Sequence, residues 1–349
     1  MNRPHATIND VAKAAGVSIT TVSRILNNKP DVAAATRQRV LEAIASLGYT
    51  PHAQAKNLAG GRSRSIAALY PSDSIGFSGL EFDFFVGMAN IAGKHEFLFN
   101  LLFHPMSENE LLNLYRSNRV DGVILMEVHL NDWRPPLLRE HGYPFVLVGH
   151  CEDNTGISYI DLDFEAALML TIKHLYELGH REIGFLNMTG GLRDLGYGPS
   201  VRSLQGYQQG CARYNLTPKV RDARPTIDDV MIATHGLLDE HPDLTAVVTL
   251  HTDGLIGIIR AANSRGLEVP TDFSVAGVIS DKVASLITPP LTSISFPAQT
   301  MGTRAAQMLV QMLDSAAYEP HGVLLKPRLV VRESTAAARK RRVRAKRRH

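Results

Sequence analysis

The chain has 349 residues, 44% of them hydrophobic and 20% charged, with a formal net charge of +3. This composition suits a soluble globular protein with one small domain and one large one. No apolar run approaches the roughly 18 residues of a membrane span, and no charged-then-apolar leader opens the chain, so a cytoplasmic location away from membranes is expected.

The net charge hides a division. Residues 1–63 carry eight Lys/Arg against three acids, residues 339–349 carry eight Lys/Arg and no acid, and the stretch between is net −10. A basic head, acidic body and basic tail suit a protein whose end holds phosphates while its body does not. Cys151 and Cys211 lie far apart without metal-ligand spacing, as free buried thiols would.

The first elements form a compact unit. Thr7 can cap a helix in which Ile8, Val11, Ala12 and Ala15 share one face. Asp10 adds its charge to the first turn, and Gly16 ends the helix and allows a turn. Ser18 caps a second helix that buries Val22, Ile25 and Leu26 and offers Ile19, Thr20, Ser23 and Arg24 outward. A third helix, from about Ala34 to Leu47, is expected to close the core with Val40, Leu41 and Ile44. Two short helices on a tight turn, the second with a polar outer face, place a helix in the DNA major groove.

This segment resembles the DNA-binding headpiece of the lactose-repressor/galactose-repressor (LacI/GalR) family of bacterial transcription regulators. The family pattern T-I-x-D-V-A-x-x-A-G-V-S-x-x-T-V-S-R-x-L-N is met from Thr7 to Asn27. Thr36-Arg37, Arg39-Val40, Leu47-Gly48-Tyr49 and Pro51 also match. The resemblance implies DNA contacts from Thr7, Ser18, Ile19, Thr20, Thr21, Ser23, Arg24 and Asn27. It also implies that residues 52–59 form a hinge helix on operator DNA. There Leu58, flanked by Ala55 and Ala59, would wedge open a central base step. So short a helix is unstable alone. His52 departs from the family's usual Asn and could make DNA affinity mildly pH-dependent.

From Ser65 onward, short apolar runs alternate with helical segments, which predicts parallel sheets with crossover helices. The expected strands are Ile66–Tyr70, Phe97–Phe103, Gly122–Met126, Phe145–Val148, Ile183–Asn187, Ala246–Leu250, Phe273–Val278 and Thr292–Phe296. About 270 residues exceed one ordinary open sheet, so two lobes are expected. The fold class is therefore α/β: a three-helix head and hinge before a two-lobed body. The boundaries are 1–50 for the head, 51–63 for hinge and linker, 64–335 for the body and 336–349 for a basic, disordered tail.

The body resembles the family too, in Gly179-His180-Arg181-Glu182-Ile183, Leu204-Gln205-Gly206-Tyr207, Pro290-Leu291-Thr292-Ser293-Ile294 and Leu329 to Thr335. That resemblance implies a periplasmic-binding-protein-like fold crossing between lobes near 161–164, 289–293 and 320–326. A small-molecule effector, expected to be a carbohydrate, would bind in the cleft at the strand C-terminal ends. Its candidate contacts are Tyr70, Asp73, Phe84, Phe85, Arg202 and Asp253. Several of the family's polar anchors are missing or moved. Ser203 stands where an arginine is usual, Thr252 where asparagine is, Ile279-Ser280 where Asp-Asp is, and Gly149 at the place of a ligand-binding Asp. Either the effector is unusual or the cleft binds a sugar with a different set.

No catalytic constellation, metal set or cofactor motif is present. Gly87 to Lys94 only approximates a phosphate loop, with five residues between its glycines and His95 in place of Ser/Thr. Trp133, the only tryptophan, reads as a packing residue. The tail has no leucine heptad of the kind that tetramerises, so a homodimer on a near-palindromic operator is expected. A transport solute-binding protein would explain the body but not residues 7–58. An enzyme would lack any supporting motif.

Overall fold

The computed structural model describes residues 6–26, 31–49, 62–71 and 79–339. The chain divides into two units, the smaller holding the first three helices.

In that unit, helix α1 spans Ile8–Ala15, α2 Ile19–Leu26 and α3 Ala34–Leu47. Thr7 and Asp10 form a reciprocal capping box, so each satisfies a donor that the helix leaves open. Gly16 and Gly48 end α1 and α3 in the left-handed conformation, with φ of 65° and 60°. Val11, Ala12, Ala15, Val22, Ile25, Val40, Ala43 and Tyr49 make the core. Leu41 departs from expectation. It is 47% exposed, because the buried face of α3 runs through Val40, Ala43 and Ile44, and residue 41 falls off that line.

The larger unit holds two six-stranded sheets. In the first lobe the elements are β1 (Ser65–Leu69), α4 (Gly79–Lys94), β2 (Leu98–Leu102), α5 (Glu108–Arg116) and β3 (Gly122–Leu125). They continue with α6 (Arg134–Glu140), β4 (Phe145–Val148) and β5 (Tyr159–Leu162). The second lobe has α7 (Phe164–Glu177), β6 (Ile183–Met188), α8 (Gly190–Asp194), α9 (Gly198–Arg213), β7 (Val220–Ala223) and α10 (Ile227–Glu240). It goes on through β8 (Ala246–Thr249), α11 (Leu255–Ser264), β9 (Ser274–Ile279), α12 (Asp281–Leu286) and β10 (Thr292–Ser295). Then α13 (Ala298–Asp314) and β11 (Gly322–Leu325) return to the first lobe, and β12 (Leu329–Val330) to the second.

The first sheet runs β11-β5-β4-β3-β1-β2, all parallel. The second runs β12-β10-β9-β8-β6-β7, parallel except for β12 against β10. Each expected strand is present within two residues of its expected ends. The central strands are fully buried, as crossover helices on both faces require.

The lobe crossings correct one expectation. The chain crosses between β5 and α7, between β10 and α13, and between β11 and β12. The second crossing therefore lies near 296–298, not 289–293, because β10 pairs with β9 inside the second lobe. The order of the body also runs past 335. Ala336 N–H donates to Ser274 Oγ at 3.1 Å, and Ala338 N–H to the Leu178 carbonyl at 2.9 Å.

Two glycines bring α4 and α13 into close contact. A Cβ on Gly302 would lie 2.1 Å from the Phe84 carbonyl oxygen, and one on Gly87 would lie 2.4 Å from that of Gln299. Helix backbones can approach this closely only where a Cβ is absent. The glycine that opens the phosphate-loop lookalike is thus a helix-crossing residue.

Candidate functional site

The first candidate surface is the outer face of α2. Ser18 Oγ accepts from Thr21 N–H at 3.1 Å and lies 2.9 Å from Thr21 Oγ1, which fixes the start of the helix. Val22 and Ile25 are buried, while Ile19 is 48% exposed and Thr20 and Arg24 face solvent. Ser23 and Thr21 are half-buried at the flanks. Arg24 pairs with Asp31, both about half exposed. Such a pair is worth little in water and yields readily to a phosphate. Thr7 is engaged in its cap, with its N–H donating to Asp10 at 2.8 Å. Donation by the Thr7 backbone and hydroxyl holds the Asp10 carboxyl below its ordinary range. Asn27, His52, Ala55, Leu58 and Ala59 lie outside the described residues.

The second candidate site is the cavity between the lobes. Its empty volume, counted with the open solvent at its mouth, is about 870 Å³. Its walls are the C-terminal ends of parallel strands. Tyr70 follows β1, Met126 and Glu127 follow β3, Gly149 and His150 follow β4, Met188 ends β6, and Leu250 and Thr252 follow β8. Helix α4 contributes Glu81 and Phe84, and the crossing segment contributes Phe296. Parallel sheets put ligands here because loops and helix starts converge at these ends.

Of the residues expected from sequence, Tyr70 and Phe84 line this cavity. Phe85 does not. It is buried against Tyr70 and Phe103, at ring distances of 6.0 and 5.9 Å. Neighbours on a helix point about 100° apart, so only one of the two phenylalanines can face the cleft. Asp253 turns to solvent, and Thr252 beside it lines the wall instead. Arg202 lies behind the lining. Its Nη2 donates to the Cys151 carbonyl at 3.1 Å, and its Nη1 is buried without a hydrogen-bond partner. A Cβ on Gly198, which does line the cavity, would lie 2.6 Å from that Nη1. Asp73 lies outside the described residues.

The polar lining that sequence reading missed is acidic: Glu81, Glu127 and Asp161, with His150. Glu127 follows directly on one expected strand and His150 lies two residues past the end of another, so the strand-end rule could have found them. Asp161 sits inside β5, whose buried carboxylate masks the strand signal. His150 Nδ1 lies 2.8 Å from Asp161 Oδ2. The Tyr70 hydroxyl donates to Glu81 at 3.3 Å and also meets the Glu127 carboxyl. Burial pushes Glu127 up to about 8, the Glu81 charge adds to this, and Tyr70 and Arg134 only partly oppose it.

Glu127 is held in an uncommon backbone conformation, φ 51°. Arg134 fixes it there. Nη2 of this buried arginine donates to the carbonyls of Met126 and Glu127 at 3.0 and 3.1 Å and pairs with Asp132 at 2.6 Å. A strained residue held this firmly at a strand end is a usual mark of a binding site. Across the rim, Leu130 N–H donates to the Gly196 carbonyl at 2.7 Å and Gly198 N–H to the Val128 carbonyl at 3.3 Å. These bonds stitch one lobe to the other beside the cavity.

Comparison with known proteins agrees with both halves. A model of the lacI family of bacterial regulatory proteins matches residues 7–52, and a periplasmic binding protein-like domain matches residues 172–335. The chain is 32% identical over 342 residues to the HTH-type transcriptional regulator CelR of Thermobifida fusca, covering 95% of this chain and 99% of that one. Among solved structures, the Lac repressor dimer bound to operator and the anti-inducer ONPF is similar with a TM-score of 0.82. Its identity is 26%, over 95% of this chain and 99% of that one. A CelR–cellobiose complex is similar with a TM-score of 0.68 at 28% identity, over 94% and 99% of the two chains. No helix among the described residues is long and apolar enough to cross a membrane. The chain belongs to the lacI family of bacterial regulatory proteins, and is a ligand-responsive, DNA-binding transcription regulator rather than a transport binding protein.

Proposed function

We propose that the chain is a cytoplasmic repressor, without catalytic activity, that binds a near-palindromic operator as a homodimer. A small-molecule effector between the lobes changes its operator affinity. The observation that carries this reading is the outer face of α2, where Ile19, Thr20 and Arg24 stand exposed directly opposite buried Val22 and Ile25. A stripe of this kind at a helix start reads base edges, while its core side keeps the helix in place. The hinge residues Ala55, Leu58 and Ala59, with His52, would add minor-groove contacts. The cleft supports the effector half of the reading, and the cellobiose complex of a relative favours a carbohydrate or a related metabolite. Phe82 and Leu98, 59% and 66% exposed, are apolar side chains that a second copy would cover.

A gel-shift with the gene's own upstream DNA tests the reading. Exchanging both Ile19 and Thr20 should change which half-site is preferred, by about 1–3 kcal/mol per altered base contact. Leu58→Ala should weaken specific binding and spare nonspecific binding. Unchanged half-site preference after the double exchange would show that α2 does not read the bases.

A further inference from the structure

Two polar residues of the cavity wall hold each other. Asp161 and His150 both line the cavity, and His150 Nδ1 lies 2.8 Å from Asp161 Oδ2. The backbone brings them together. Gly149 N–H donates to the Ile160 carbonyl at 2.9 Å, so the chain stays in register with β5 just past the end of β4 and sets His150 beside Asp161. Asp161 is 2% exposed, and its other oxygen accepts from Leu162 N–H at 2.8 Å. The Arg202 charge faces Asp161 from behind the wall, not the cavity. An ionised carboxylate only accepts, so the proton between the pair sits on Nδ1.

That leaves Nε2. The His150 ring stacks on Tyr159 with centroids 5.1 Å apart and planes 19° from parallel, which fixes its plane. Turning the ring over would break the bond to Asp161. Nε2 therefore has one position, and among the described residues the hydrogen bond of this ring is the one at Nδ1. Beside it Gly149 brings no side chain to fill the space, and Phe84, Phe164 and Phe296 give the same cavity apolar walls. A hydroxyl both gives and takes a hydrogen bond, so it satisfies Nε2 with or without a proton there. An anion fits neither state. It offers only acceptors to a neutral ring, and a protonated ring is already matched by the Asp161 carboxylate.

We propose that His150 Nε2 holds a hydroxyl of the effector, and that Asp161 is the positioning residue that aims the ring. The ligand it selects is neutral and hydroxyl-bearing, with C–H faces for the aromatic walls, as a sugar ring has. A phosphorylated or acidic molecule gains nothing at this contact. The inference rests on the reading of the cleft as the effector site and names the residue that makes that site selective.

The test is calorimetry on the full chain with glucose, galactose, maltose, cellobiose and glucose 6-phosphate. Analogues of the tightest neutral binder follow, with one hydroxyl removed at a time. Two variants separate the nitrogens of the ring. The amide of His150→Asn reaches the place of Nδ1 and can keep the Asp161 bond, while that of His150→Gln reaches the place of Nε2. Sugar affinity should fall about tenfold in His150→Asn and less than about threefold in His150→Gln. One deoxy analogue should bind the wild type about tenfold more weakly than its parent, and His150→Asn no more weakly, because both deletions remove the same contact. Asp161→Asn should weaken sugar binding and also change the nitrogen spectrum of isotope-labelled histidine. The Nδ1–H form of His150, assigned by its absence from His150→Gln, should be lost. Wild-type affinity in His150→Asn overturns the proposal, as does an equal loss in both His150 variants. So does a penalty from every deoxy analogue that is the same in wild type and His150→Asn, or a preference for glucose 6-phosphate over glucose that depends on His150. A His150 signal unchanged by Asp161→Asn overturns the positioning role. If no sugar binds at tens of millimolar, the carbohydrate reading and the proposal fall together. A sugar that binds and shifts operator affinity but ignores His150→Asn leaves the effector site standing and removes the proposal alone.

Discussion

The head and the cleft are built in opposite ways. The surface proposed to face DNA comes from consecutive turns of one helix, α2, seated on a core of eight buried side chains. The cleft draws its lining from strand ends and helix starts spread between Tyr70 and Met301, so no short segment contains it. In the head, removing one core side chain endangers the whole surface. In the cleft, function depends on loops that are positioned by two large sheets and locked individually, as Arg134 locks Glu127.

The sharpest break in that comparison is Ile25→Ala. Ile25 is 2% exposed in a small core, and a deletion of this kind costs about 2–5 kcal/mol. Operator binding should collapse while the melting of the body stays unchanged, as followed by calorimetry with separate head and body transitions. A lowered body transition would show that the two units do not fold independently.

Gly302→Val attacks the other side. Its Cβ would overlap the Phe84 carbonyl at 2.1 Å, so α4 must shift away from α13 and carry Phe84 and Glu81 with it. Overpacking of this kind costs about 1–3 kcal/mol. The body transition should fall and ligand affinity with it, while nonspecific DNA binding by the head persists.

The difference between the regions also explains what could be read from the residues. The head was legible because its signals are local: the Thr7 cap, the Gly16 turn and the apolar spacing of α1 and α2 all lie within a few residues. Leu41 failed for a local reason too, since an apolar side chain one position off the buried line still looks like core. In the body the buried strands announced themselves as apolar runs. The strands β5, β7, β11 and β12 did not, because they are edge-proximal, very short or interrupted by charge, as Asp161 interrupts β5. The cleft was half legible. Strand ends pointed to Tyr70, but which of Phe84 and Phe85 turns inward depends on the phase of a helix set by Gly87 and Gly302 across from it. Arg202 and Asp253 were placed by sequence register alone, and a displacement of one residue on a helix or loop moves a side chain out of the wall.

A smaller effect sharpens the contrast through pH. Glu127 is pushed from an ordinary 4.5 up to about 8, burial being the main cause. Between those values the folded body holds a proton that the unfolded chain has released. Its contribution to stability is therefore full below the ordinary value and is lost as pH rises through about 8. Glu127→Gln should flatten the pH dependence of the body transition across that window by close to one proton, and leave the head transition alone. An unchanged slope would place Glu127 in a more solvated setting than its packing indicates.

The most direct test of the account is reciprocal titration. Operator affinity is measured by fluorescence anisotropy with and without the tightest-binding member of the sugar panel, and ligand affinity with and without saturating operator. If the cleft controls the head, the two ratios must be equal and differ from unity, because coupling between two sites is a single free energy. Ligand that saturates the cleft while operator affinity stays the same would contradict the account.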